Sequence, residues 1–260
     1  MELGLAGRTA LITGASKGIG RAIAEGLAAE GCHLHLAART KADLETVREA
    51  IGARWNVNVN VHPADLSDGD NCRALAAAAG DLDILVNNAG AIPGGDLLAI
   101  EEPRWRQAWD LKVFGYVNLA RAVYPAMQAR GRGGVIINII GLGGELLSAN
   151  YIAGSAGNAA LMAFSRALGA DSFDSGVRVV GINPGMVATD RMRTLLETRA
   201  ERQFGDKSRW REYMKELPQQ RAAEPREVAD AVAFLASDRA SYISGTVLTI
   251  DGGTAHRRER

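Results

Sequence analysis

The chain has 260 residues, 47% of them hydrophobic, which is enough to build a sizeable core in one large domain. Thirty basic residues balance thirty acidic ones, so no net field is available to hold nucleic acid or an anionic membrane, and small molecules or further copies of the chain are the expected partners. Cys32 and Cys72 lack metal-ligand spacing and read as reduced, buried thiols; with no export signal at the N-terminus and no apolar run long enough to cross a bilayer, a soluble, cytoplasmic, metal-free protein is expected.

Along the chain, short apolar runs at 10–12, 34–37, 57–61, 84–86, 135–139, 177–182 and 247–250 read as buried strands. Between them the spacing of apolar residues predicts helices over 19–29, 41–51, 69–79, 103–129, 152–172 and 225–236. Pro103 and Pro225 suit first-turn positions, where a missing N–H costs nothing. The alternation predicts repeated βαβ units in an α/β fold with one parallel sheet and helices on both faces, and no linker or repeat divides residues 1–260. One stretch breaks the rhythm: residues 191–220 are polar and charged, carry Trp210 and Tyr213, and read either as a lid over a substrate site or as a plain surface helical pair. The basic tail from His256 to Arg260 reads as solvated charge.

The first apolar run ends in Thr13-Gly14-Ala15-Ser16-Lys17-Gly18-Ile19-Gly20 and passes directly into a helix. Glycines there allow a tight turn and a close approach of backbone to a pyrophosphate, while the helix N-terminus supplies N–H donors and the positive end of its dipole. Further landmarks follow in order: Asp65-Leu66, then Asn87-Asn88-Ala89-Gly90, then Asn183-Pro184-Gly185-Met186-Val187-Ala188-Thr189, and lastly Ser244-Gly245 through Asp251-Gly252-Gly253. With the spacing G-x-x-x-G-x-G, these motifs resemble the short-chain dehydrogenase/reductase family over nearly the whole chain.

That resemblance implies a doubly wound Rossmann fold of about seven strands and a nicotinamide dinucleotide bound across it. It implies contacts from Gly14, Ser16, Lys17, Gly18, Ile19 and Gly20 at the glycine turn. It further implies that Asp65 and Leu66 flank the adenine, that Asn88, Ala89 and Gly90 line the cofactor trough, and that Pro184, Gly185, Val187 and Thr189 approach the nicotinamide end. Ala38 stands where NAD-preferring relatives carry an aspartate, and Arg39 follows it. Arg39 and Lys17 would attract a 2′-phosphate, so NADP(H) is expected ahead of NAD(H).

The family's proton transfer normally uses a serine, a tyrosine and a lysine four residues beyond it, with an asparagine on the preceding helix. A lysine ammonium beside the tyrosine lowers its pKa, and the serine holds the substrate oxygen. Alignment of the flanking motifs sets Gly141 at the serine, Gly154 at the tyrosine, Asn158 at the lysine and Lys112 at the asparagine. Tyr151 and Lys112 are therefore the candidate catalytic pair: a phenol one turn ahead of Gly154, entering a space that Gly141 and Gly154 leave free, and an ammonium from the neighbouring helix that Asn158 could accept from. The expected function is NADP(H)-dependent interconversion of a carbonyl and an alcohol, or a related C=C or C–O group, on a small molecule. The alternative is a cofactor-binding protein without catalysis, acting as a sensor or partner subunit. Apolar residues on more than one face of the 103–129 and 152–172 helices lead us to expect a homotetramer, or failing that a homodimer.

Overall fold

The computed structural model describes residues 2–257, so Arg258, Glu259 and Arg260 of the basic tail lie outside the described residues. Seven strands, β1 (Thr9–Thr13), β2 (His33–Ala38), β3 (Val59–Pro63), β4 (Ile84–Asn87), β5 (Gly134–Ile139), β6 (Val177–Pro184) and β7 (Thr246–Ile250), form one sheet in the order β3-β2-β1-β4-β5-β6-β7. All six pairings are parallel, with Ala10 opposite both Leu34 and Ile84. The central strands are buried on both faces, which is why their sequences are nearly continuous Val, Ile and Leu.

Among the described residues eight α-helices connect them: α1 (Gly18–Ala29), α2 (Lys41–Gly52), α3 (Gly69–Ala79), α4 (Glu102–Trp109), α5 (Gly115–Ala129), α6 (Ile152–Asp171), α7 (Asp190–Phe204) and α8 (Pro225–Ala236). Side chains from α1, α2 and α8 close one face of the sheet around Ile12, Leu36 and Val86. Those from α3 and α5, with Phe164 and Leu168 of α6, close the other around Leu11, Leu85 and Ile136. This is the doubly wound Rossmann arrangement, and strand order reverses between β1 and β4. No helix among the described residues is long and apolar enough to cross a membrane.

The helix expected over 103–129 is not continuous. A π-helical segment, Asp110–Phe114, separates α4 from α5. Two consecutive side chains, Lys112 and Val113, are buried within it, and at Gly115 the backbone lies so close to the Leu66 carbonyl oxygen that a Cβ would stand 2.8 Å from it. Tertiary contact of this kind selects the wider turn, which local periodicity does not reveal. Residues 191–220 fold as α7 and a 3-10 stretch, Lys207–Glu216, that share a small core of Met192, Leu196, Ala200, Tyr213 and Ala222.

Candidate functional site

The turn from β1 into α1 forms because Gly14 and Gly18 adopt left-handed backbone, φ 64° and φ 57°, which side-chain-bearing residues rarely do. Gly20 packs so tightly on the Gly14 carbonyl oxygen that a Cβ there would overlap it. The residue capping α1, Lys17, provides no side-chain cap, so the first-turn N–H groups of a twelve-residue helix point out at the switch point of the sheet without a side-chain partner. These features fit the pyrophosphate of a dinucleotide.

Asn88 fixes this turn from the neighbouring strand. Its Nδ2 donates to Thr13 O at 3.0 Å and Gly14 O at 3.3 Å, and the Thr13 hydroxyl accepts from the N–H groups of Asn88, at 2.9 Å, and Ala89, at 3.0 Å. On the far side of the crevice Thr189 caps α7 by accepting from the Met192 N–H, and its methyl group faces Gly18. Pro184 ends β6, Gly185 donates its N–H to Ile250 O, and Val187 is buried. Asp65 accepts from both the N–H and the hydroxyl of Ser67, which hold its pKa below the ordinary carboxylate value, with Arg39 adding to the effect. Leu66 is directed into the core beside Cys72 and Leu75. Arg39, Lys17 and Asp65 are exposed, and Ser16 and Ile19 half-buried.

Next to Gly90 the crevice widens into a cavity of about 270 Å³ lined by Gly90, Ile92, Lys112, Tyr151, Arg191 and Leu195, among others. Lys112 and Tyr151 thus meet at one cavity. Lys112 is 8% exposed. Its Nζ donates to Ile139 O at 2.7 Å and to the Tyr116 hydroxyl at 3.0 Å, and Tyr116 in turn donates to Ile139 O at 2.9 Å. Burial, reinforced by the positive charge of Arg191, pushes the Lys112 pKa down to about 7. Gly90 has to lack a side chain, because a Cβ would stand 2.5 Å from Lys112 Cδ.

Tyr151 departs from expectation in one respect: α6 begins at Ile152, so Tyr151 is the residue before the helix, with φ −140° and ψ 37°. Its ring nevertheless folds back over Gly154, filling the space where a Cβ would be, and lies beside Gly143. Burial raises the Tyr151 pKa and Arg191 lowers it, so the cation that acts on this phenol is Arg191. The expected action of Lys112 is not seen, because its ammonium is turned to Ile139 and Tyr116. Nor does Asn158 accept from Lys112. It is 3% exposed, its amide approaches Gly141, and its Oδ1 is buried without a partner. Lys112 donates instead to Ile139 O and the Tyr116 hydroxyl, which leaves Asn158 outside that network.

Sequence reasoning missed Arg191 and Tyr116. Arg191 donates to Gly90 O and Ile92 O, each at 2.9 Å, tying α7 to the loop after β4. Tyr116 lies four residues beyond Lys112, a spacing that places two helical side chains together and could have drawn attention to it.

A parallel sheet with an uncapped helix behind a glycine turn at its switch point defines a dinucleotide-binding protein, and the adjoining cavity gives it a place for a second small molecule. A family model described as Enoyl-(Acyl carrier protein) reductase matches residues 14–255. The 3-oxoacyl-[acyl-carrier-protein] reductase of Escherichia coli (strain K12) is 34% identical over 251 residues, covering 95% of this chain and 97% of that protein. Galactitol 2-dehydrogenase (L-tagatose-forming) of Cereibacter sphaeroides is 35% identical over 254 residues, covering 96% and 95%. Among solved structures, L-sorbose reductase from Gluconobacter frateurii, complexed with NADPH and L-sorbose, superposes with a TM-score of 0.93 at 33% identity, covering 99% of this chain and 100% of that one. The chain belongs to the short-chain dehydrogenase/reductase family and is an NAD(P)-dependent oxidoreductase.

Proposed function

We propose that this chain is an NADP(H)-dependent reductase that converts a carbonyl on a small molecule to the alcohol, with Tyr151 as the proton donor and Lys112 behind it. The observation that carries this reading is that Tyr151 and Lys112 line the same cavity beside Gly90. When bound, the reduced dinucleotide supplies hydride to the carbonyl carbon. Gly14, Ser16, Lys17, Gly18, Ile19 and Gly20 would hold its pyrophosphate end, Asp65 and Leu66 its adenine, Asn88, Ala89 and Gly90 its middle, and Pro184, Gly185, Val187 and Thr189 its nicotinamide end. A raised pKa keeps Tyr151 protonated at neutral pH, so it is suited to give a proton to the substrate oxygen and less suited to remove one. The phenolate left behind is favoured by the charge of Arg191, and Lys112, near neutrality, can carry a proton at the same cavity.

NADP(H) is preferred because Arg39 and Lys17 are exposed cations beside the nucleotide end and Ala38 presents no carboxylate. The long helices support assembly into a homotetramer. Phe114 is 52% exposed, and Ala156, Ala160, Ala163 and Ala167 form an exposed small-residue row along α6 on which a second copy could pack closely. Residues 191–220 border the cavity through Arg191 and Leu195, as a lid would.

The test is a screen of carbonyl and alcohol compounds with NADPH and NADH, followed by nicotinamide absorbance. NADPH-dependent reduction that is lost in Tyr151→Phe supports the proposal. One observation favours a second reading, cofactor binding without turnover: the Lys112 ammonium is engaged by Tyr116 and Ile139, as a purely structural lysine would be. Tight NADPH binding with no turnover across the screen would select it.

A further inference from the structure

The polar residues that line the cavity are Lys112, Tyr151 and Arg191, and no Asp or Glu among the described residues lines it. Arg191 is the informative member. On the same insertion, Arg193 pairs with Glu197 at 2.8 Å and Arg209 with Glu212 at 2.6 Å, whereas Arg191 has no carboxylate partner among the described residues. Its two terminal nitrogens are instead held by the Gly90 and Ile92 carbonyls. Neutral acceptors orient a guanidinium without cancelling its charge. Each carbonyl accepts from one terminal nitrogen, so part of the planar donor fork stays available at the cavity. Lys112 is the other basic group at this cavity; burial is the main cause of its depressed pKa, and the charge of Arg191 adds to it.

Resting on the reductase reading above, we infer that the substrate is an oxo acid: a small carbonyl compound whose carboxylate is held by Arg191 while its carbonyl oxygen meets Tyr151. A planar carboxylate matches the guanidinium fork in two-point contact, and a cavity of about 270 Å³ suits a compact acid. Arg191 is then a specificity-determining residue. Binding of the acid would also offset the repulsion between Arg191 and Lys112.

The experiment uses the full chain with NADPH and three pairs of compounds: pyruvate, acetoacetate and levulinate, each against its methyl ester. The acid of at least one pair should exceed its ester in kcat/KM by roughly tenfold or more, and Arg191→Gln should bring that ratio toward one while Arg191→Lys keeps part of it. Esters reduced as well as acids overturn the inference and leave the reductase reading standing. So does an Arg191→Gln variant that loses NADPH affinity with the ratio unchanged, since the guanidinium would then serve the cofactor. Should none of the compounds be reduced, calorimetric titration of the NADPH-loaded protein with succinate decides separately. Binding that Arg191→Gln abolishes upholds the anion site and counts against the reductase reading, and absence of binding overturns the inference. If Arg191→Gln does not fold, competition by succinate against ester reduction in the unmodified protein serves instead, with no competition as the overturning result.

Discussion

The ring of Tyr151 stands where a side chain on Gly154 would have to begin. The phenol of the residue before α6 thus occupies the space of any side chain at position 154, and the two cannot coexist. Gly154→Ala should therefore displace Tyr151 from the cavity. We expect kcat to fall about as far as in Tyr151→Phe, on the order of 10²-fold, with NADPH affinity nearly unchanged. Unimpaired turnover in Gly154→Ala, with the fold verified by circular dichroism, would exclude Tyr151 as the proton donor.

Removing the amine by Lys112→Met should also lower kcat by about 10²-fold if the ammonium assists proton transfer. The variant additionally leaves Tyr116 and Ile139 without their shared donor, so stability has to be measured beside activity. Full activity would assign Lys112 to structure alone.

Lys112 also makes a prediction about pH. Its pKa falls from 10.5 to about 7 in the folded protein, so between those values the unfolded chain binds the additional proton. Stability from this group accordingly rises with pH through that window, by up to about 1.4 kcal/mol per unit, and the benefit is lost as pH falls toward 7. Urea melts of the unmodified protein and Lys112→Met across the window should show this slope in the former and a flatter dependence in the latter. Parallel curves would mean that the amine is not desolvated as described.

The expected cofactor order is NADPH ahead of NADH, and Arg39→Asp should reverse it by placing a carboxylate against the 2′-phosphate. Fluorescence titrations at moderate salt measure both affinities. Equal affinities in the unmodified protein would show that neither Arg39 nor Lys17 reaches the phosphate.

Assembly is expected to be tetrameric through α4, α5 and α6. Light scattering at micromolar concentration measures it directly, and replacing Ala160 with Glu on the exposed row of α6 should shift the mass downward. A monomeric mass in the unmodified protein contradicts the expectation.

Much of the fold could be read in advance because strands buried on both faces leave little choice of residue. The runs at 84–86 and 135–139 coincide with β4 and β5 to within a residue at each end, and the helices at 69–79 and 225–236 match α3 and α8. Strand β3 runs two residues later than its apolar run, since Val57 belongs to the turn after Trp55, where its N–H donates to the Trp55 carbonyl. The π-helical segment was not legible: it is selected by the contact of Gly115 with the Leu66 carbonyl and by burial of Lys112, both of which come from elsewhere in the chain. The glycine turn was readable from spacing, because φ above zero requires that residue type. Arg191 was not, because its orientation comes from two backbone carbonyls about a hundred residues earlier. Its one local signal was its place directly after the cap residue Thr189 and Asp190.

The bonds from Asn88 and Ala89 to Thr13 join the nucleotide turn and the cavity wall at Gly90 into one mechanical body. The opposite jaw, α7, is held across the gap, among the described residues, by the hydrogen bonds of Arg191 alone, so widening of the crevice to admit substrate or release product is expected from that side. Turnover would then be timed by how often that clasp lets go, so loosening it should shorten the residence of product even where it leaves the chemistry untouched.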